Sequence, residues 1–366
     1  MTQSEISATF GEVISRIPAP VHCGIVPPHI LEHLVAHAED LAVREAAERS
    51  LALDALHREQ RVLPPPAARA LLPERSLTTP QRTVSDDHHT ERLPGRTVRT
   101  EGAPPVADRT VDRAYDGLGA TFDFYLAAYR RHSIDDRGLP LDATVHYGQK
   151  YDNAFWNGSR MIFGDGDGVL FNDFTVSVDV IGHELTHGVT QFSANLDYQG
   201  QSGALNESVS DVFGSLVKQY ALGQTADRAD WLIGAGLLAP QVQGIALRSM
   251  RAPGTAYDDP SLGTDPQPAT MAGYVDSSGD NGGVHLNSGI PNHAFYLAAT
   301  AIGGYAWERA GQIWYDVLTG GGIAASADFA EFAAATVAAA ETRYGAGAEA
   351  RAVREAWVQV GVITQN

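Results

Sequence analysis

The chain has 366 residues, 44% of them hydrophobic and 19% charged, and 44 acidic residues against 26 basic ones give a formal charge of −18. That composition excludes disordered, collagenous and coiled-coil proteins, and the acidic balance leaves no broad basic field for nucleic acid or an anionic membrane. No run of about 18 uncharged apolar residues occurs, so no membrane-spanning helix is expected, and a single cysteine, Cys23, forbids an internal disulfide.

Residues 1 to about 60 read as helical, with Ile30, Leu31, Leu34, Leu41 and Val43 spaced for one apolar face and Pro27-Pro28 stiffening the entry. The first residues show no basic stretch followed by an apolar one, so no conventional signal peptide is expected, and the chain reads as cytoplasmic or exported by a leaderless route. Pro64-Pro65-Pro66, Pro73 and Pro80 mark a linker and a domain boundary near residue 80. From about 85 to 170, short apolar runs alternate with Gly and Asp turns, which predicts a strand-rich lobe. From Val178 onward helical patterns dominate. The expected class is α+β: a helical segment 1–80, a β-rich lobe 81–195 and an α-helical lobe 196–366.

Within Val180–Gly188 stands His183-Glu184-Leu185-Thr186-His187. On a helix, positions i and i+4 share a face, so two imidazoles can reach one zinc ion, with Glu184 beside it as a general base for water. A chance match on a histidine-bearing amphipathic helix is the plain alternative. A catalytic zinc takes a third protein ligand, and Glu207 follows His187 by twenty residues, with Asp211 one turn further on the same face. Asp211 is placed to accept the remaining ring N–H of His183. The stretch Asp280–Gly289 joins a glycine turn to His285; taken alone it reads as a turn entering a helix.

His183–His187, the Glu207/Asp211 pair, Asn153-Ala154-Phe155-Trp156-Asn157-Gly158 and Asp280–Gly289 together resemble the thermolysin family of zinc metallopeptidases, from about residue 85 to the end. Metzincins would need glycine at Thr190 and histidine at Ser193, and zinc aminopeptidases place their glutamate at Asn206. The resemblance implies a two-lobe zincin that hydrolyses peptide bonds, with one catalytic Zn2+ on His183, His187 and Glu207. It implies Glu184 as general base to a zinc-bound water, His285 and Tyr198 as donors to the oxyanion, and Asp280 as the residue that orients His285. Asn153 and Ala154 would hold the substrate backbone and Arg248 a substrate carbonyl. Phe171, Phe174, Val180, Ile233, Leu237 and Leu247 would line the pocket after the scissile bond, giving cleavage on the N-terminal side of bulky hydrophobic residues; each could equally be plain core.

The chain departs from the family at the double calcium site. Of its five carboxylates only Asp179 and Asp230 remain, the others being replaced by Lys218, Leu232 and Ala235. Calcium takes about six to eight oxygens, which puts Ca2+ in doubt here. Lys218, one of only two lysines, is expected to replace the ion by pairing with Asp179 and Asp230. The short N-terminal segment resembles that of the protealysin-like branch, whose propeptides fold against the catalytic domain and block the cleft. Residues 1–80 would then be an inhibitory propeptide, removed within the linker, or alternatively a lasting regulatory domain. Cys23 would be a fourth zinc ligand in a latent form, or a small buried hydrophobe. The expected partners are protein or peptide substrates and the chain's own propeptide, without nucleic acid or membrane, and the expected state is a monomer. An inactive peptide-binding relative and a zinc aminopeptidase are the rival readings.

Overall fold

The computed structural model describes residues 24–60 and 78–364. Cys23 and most of the proline-rich linker lie outside the described residues.

Pro27 is extended and Pro28 takes the first position of α1 (Pro28–His37), where its missing N–H costs nothing. Glu39 and Asp40 then separate α1 from α2 (Leu41–Gln60). The break resets the helical phase. Ile30, Leu31, Leu34 and Val43 are buried, but Leu41, which sequence spacing assigned to the same face, is 64% exposed.

The first lobe carries a five-stranded sheet in the order β2-β1-β3-β5-β4: β1 (Arg82–Asp86), β2 (Arg96–Thr100), β3 (Leu141–Val145), β4 (Ala154–Trp156) and β5 (Met161–Phe163). β1, β3 and β5 run parallel, while β2 and β4 are antiparallel edge strands. The lobe is less purely β than the turn signals indicated, because α3 (Arg109–Tyr129) packs across it. Val111, Ala114, Leu118, Phe122 and Tyr125 are its buried stripe, a spacing of three and four residues that is legible in the sequence. Asp108 caps its first turn by accepting from the Thr110 N–H at 2.9 Å.

His146, just past β3, ties this helix to the following loop. Its Nδ1 is 2.9 Å from both Asp165 oxygens and its Nε2 is 2.9 Å from Asp108 Oδ2. The bond to Asp165, helped by Asp108 and opposed by burial, raises its pKa to about 9. A folded pKa above the unfolded value of about 6.5 means that the stabilisation is complete below pH 6.5 and is lost as pH rises through 9. Comparing urea unfolding of the wild type with His146→Gln is expected to show a difference of about 1–2 kcal/mol at pH 6 that has faded by pH 10, allowing for solvent screening.

The rest of the chain is mainly helical: α4 (Val178–Gln191), α5 (Gly200–Leu222), a short kinked α6 (Asp280–Asn287), α7 (Gly289–Ile302), α8 (Ala310–Thr319), α9 (Phe329–Tyr344) and α10 (Ala348–Gln359). Two-residue strands β6 (Leu232–Ile233) and β7 (Arg248–Ser249) pair beside the cleft. α4 and α5 approach closely because glycines meet at their crossing. A Cβ on Gly214 would stand 2.5 Å from the Asp179 carbonyl and 3.0 Å from the His183 nitrogen. Gly214→Ala is therefore expected to cost about 1–3 kcal/mol in urea unfolding, because it pushes α5 away from α4.

Candidate active site

From Asp179 to Gln191 every residue of α4 is buried, so His183 and His187 face the neighbouring helix rather than water. The His183 Nδ1 is 2.7 Å from Asp211 Oδ1, and the His187 Nδ1 is 2.9 Å from Asn206 Oδ1. Asn206 donates its own amide N–H to the Leu196 carbonyl, which fixes its oxygen toward the ring. Both acceptors hold the ring proton on Nδ1, so the two Nε2 lone pairs face each other at 3.1 Å. Glu207 on α5 closes the triangle: Oε2 is 3.6 Å from His183 Nε2 and Oε1 is 3.5 Å from His187 Nε2.

Two lone pairs and a carboxylate converging in a dry interior repel one another unless a cation lies between them. Tetrahedral zinc with ligands at about 2.0–2.1 Å sets ligand atoms roughly 3.3 Å apart, close to these separations. Burial also drives the His187 pKa down to about 4, keeping the neutral ring that a metal needs. Burial pushes Glu207 upward, but His285, His187 and His183 outweigh it and hold the group at about 2, an anion. Glu207 Oε2 is buried with no hydrogen-bond partner. The donor set fits zinc.

Glu184 lies on the same helix. Its Oε2 accepts from the Trp156 backbone N–H at 3.0 Å, while Oε1 is buried without a partner. Burial, reinforced by the Glu207 charge, pushes its pKa well above the usual carboxylate range. Asp211 accepts from both Nε and Nη2 of Arg248 at 2.8 Å and from the Asn292 amide at 2.8 Å, so one carboxylate orients a ring and a guanidinium together. Sequence reasoning missed Asn206, Asn292 and Trp156. Asn206 could have been found, since His187 needs the same orientation that Asp211 gives His183.

On the opposite wall, α6 is broken by Asn281, Gly282 and Gly283, which have φ of 49°, 88° and 72°. That kink folds Asp280 over the next turn, where Oδ2 accepts the His285 backbone N–H at 2.9 Å and Oδ1 lies 2.6 Å from its Nδ1. Burial disfavours a charged ring, but Asp280 and Glu207 prevail and raise the His285 pKa to about 9. Tyr198 donates to Glu207 Oε1 at 2.5 Å and its hydroxyl is 3.5 Å from His285 Nε2.

The cleft between these walls contains residues 24–26 of the chain itself. Gly24 bridges antiparallel to Phe155, extending the sheet beyond edge strand β4. The Ile25 N–H donates to the Ala154 carbonyl at 3.0 Å, and Arg248 Nη1 donates to the Ile25 carbonyl at 2.9 Å. Asn153 takes the Val26 N–H on Oδ1 at 2.9 Å and returns Nδ2 to the Val26 carbonyl at 3.3 Å. A Cβ on Gly24 would overlap the Asn153 amide, so glycine is required for this approach. Phe171, Phe174, Val180, Ile233, Leu237 and Leu247 are all buried and share one hydrophobic cluster with the fully buried Ile25. Further along, Asp54 on α2 takes the Tyr151 hydroxyl at 2.5 Å and the Asn153 amide at 2.9 Å.

Lys218 is brought to the two acids named from the sequence. Its Nζ lies 2.7 Å from Asp179 Oδ2 and 2.9 Å from Asp230 Oδ1, and it donates to the Leu232 carbonyl at 2.6 Å. Burial opposes the charged amine, but Asp179 and Asp230 together raise its pKa. Among the described residues a second potential metal group, His89, His146 and Asp165, is partly exposed, and the carboxylates of Asp165 and Asp108 already occupy both nitrogens of His146. No helix in the described residues is long and apolar enough to cross a membrane.

The sequence matches two family models, thermolysin metallopeptidase catalytic domain over residues 81–191 and thermolysin metallopeptidase alpha-helical domain over residues 194–362. It is 51% identical over 343 residues to an extracellular metalloprotease of Pectobacterium carotovorum, covering 93% of this chain and 96% of that one. It is 45% identical over 347 residues to protease PrtS of a Photorhabdus species, covering 93% of this chain and 92% of that one. Among solved structures, the precursor of protealysin from Serratia proteamaculans superposes with a TM-score of 0.86 at 52% identity, over 93% of this chain and 100% of that one. The paired imidazoles, the glutamate from the neighbouring helix and matches that together span both lobes agree, and the chain belongs to the thermolysin family of metallopeptidases.

Proposed function

We propose that the protein is a zinc endopeptidase made as a latent precursor, in which residues 1–80 are the propeptide and residues 81–195 and 196–366 are the two catalytic lobes. One observation carries this reading: an internal segment of the chain, residues 24–26, lies along Asn153, Ala154 and Arg248 as an added strand. A cleft threaded by the middle of a chain needs no free amine, which favours an endopeptidase over an aminopeptidase, and an occupied cleft is a blocked one.

When bound by His183, His187 and Glu207, zinc supplies a Lewis acid and a water of lowered pKa. The chain's own groups do the rest. The free oxygen of Glu184 takes the proton of the attacking water and passes it to the departing amine. His285 and Tyr198 donate to the oxygen that gains charge, with Asp280 fixing the imidazole. Asn153 and Ala154 hold the substrate backbone as a strand, and Arg248 holds the carbonyl after the scissile bond. The apolar group around Phe171, Phe174, Val180, Ile233, Leu237 and Leu247 takes a bulky hydrophobic side chain at that position. Lys218, between Asp179 and Asp230, stands in place of calcium at the base of the zinc helix. Relatives named extracellular make work outside the cell the favoured setting.

The test is digestion of casein beside an aminoacyl chromogenic substrate, using the zinc-loaded chain before and after loss of the N-terminal segment. Casein cleaved only after that loss, mainly before Leu, Ile or Phe and with the aminoacyl substrate untouched, is the expected result. Hydrolysis confined to the aminoacyl substrate would overturn the reading.

A further inference from the structure

The segment in the cleft sits in one register, and that register singles out one peptide bond. The Gly24 carbonyl oxygen lies 3.3 Å from His285 Nε2. The next N–H, that of Ile25, is held by the Ala154 carbonyl, and the next carbonyl by Arg248. Val26 then fills both hydrogen-bonding groups of the Asn153 amide. Beyond it Pro27 and Pro28 have no N–H to offer, so the strand ends after three residues and α1 begins. The bond between the carbonyl facing the reaction centre and the apolar residue buried beyond it is Gly24–Ile25.

We propose that Gly24–Ile25 is a processing site, hydrolysed by the chain's own centre in cis, and that the new end at Ile25 stays in the cleft. This rests on the endopeptidase reading above. One water is consumed: its oxygen joins the Gly24 carbonyl carbon, the C–N bond breaks, and the proton goes to the Ile25 nitrogen. The products are a carboxylate ending at Gly24 and an amine beginning at Ile25. The second product is retained by contacts that lie entirely beyond the cut. Arg248 holds the Ile25 carbonyl, Asn153 holds Val26 and Asp54, Tyr151 holds Asp54, and the Asp152 N–H donates to Ser50 Oγ at 2.9 Å. Ile25, Val26, Ile30, Leu31 and Leu34 are each at most 1% exposed, and they belong to the same polypeptide as the catalytic lobes. The first cut therefore gives a nicked protein that is still latent, and activity waits for a second cut nearer residue 80.

The experiment follows the full chain after zinc addition by intact mass and N-terminal sequencing, at protein concentrations spanning a hundredfold, with casein hydrolysis measured in parallel. A species beginning at Ile25 should form first, at a first-order rate independent of concentration, while casein activity stays below a tenth of its final value. Ile25→Asp should slow this cut at least tenfold and Ile25→Leu should preserve it, which separates loss of the bond's recognition from misfolding. A first new N-terminus elsewhere, with no Ile25 species while casein is degraded, overturns the proposal and leaves the endopeptidase reading standing. So does a rate that rises with concentration, which marks cutting between molecules. If the zinc-loaded protein cuts neither casein nor itself, the endopeptidase reading fails and this proposal with it.

Discussion

Glu184→Gln is expected to lower casein hydrolysis by a factor of about 10²–10⁴ while leaving roughly one zinc per chain. The carboxylate is buried beside the histidines yet is not one of the three converging ligands, and one of its oxygens has no partner. The amide keeps the volume and the bond from the Trp156 N–H, so the fold is preserved and only the proton acceptor disappears. Elemental analysis reads the zinc, and intact mass reads the second consequence: a chain that cannot process itself stays whole. Loss of zinc together with activity would make Glu184 a ligand or a structural group instead of a base.

Lys218→Glu is expected to be the most destabilising single change outside the zinc site. Asp179 is fully buried, and its neighbouring cation is the Lys218 amine, shared with Asp230 and the Leu232 carbonyl. Replacing that amine by a third carboxylate leaves a buried charge uncompensated, which costs about 3–5 kcal/mol. For a chain of this size the loss corresponds to a Tm lower by roughly 10 °C, measured in EDTA. Added calcium should leave the wild type unmoved, because the ammonium already stands between the two acids. An unchanged Tm in the variant would show that the pair contributes nothing to stability.

The group of side chains that could hold a metal was legible in the sequence because helical geometry converts spacing into direction. The four-residue spacing of His183 and His187 places both rings on one face whatever the surrounding fold, and the Glu207–Asp211 interval does the same on the next helix. The α+β class followed from the change of pattern near residue 178, and the prolines at 27 and 28 marked where α1 starts. Local rules failed where elements meet. Leu41 carries the right residue type, but a break two residues earlier turns it to water. The whole of α3 hid behind flanking turn signals, although its apolar stripe was there to be read.

Three-dimensional packing alone could disclose the rest. Residues 24–26 and the cleft groups they meet are separated by more than a hundred positions, with Ile25 and Arg248 223 apart. No periodicity spans that distance. Asn206, Asn292 and Trp156 bind their partners through orientation, and the crossing that delivers Glu207 to the histidines depends on the missing side chain of Gly214. Which groups can hold a metal is a property of residue types at short helical intervals, so the sequence carries it. Which segment lies across that centre, and which of its bonds faces His285, depends on how an edge strand, a kinked helix and the proline-led start of α1 come together. Those contacts form only when distant parts of the chain exclude water jointly, and they are written in the tertiary structure.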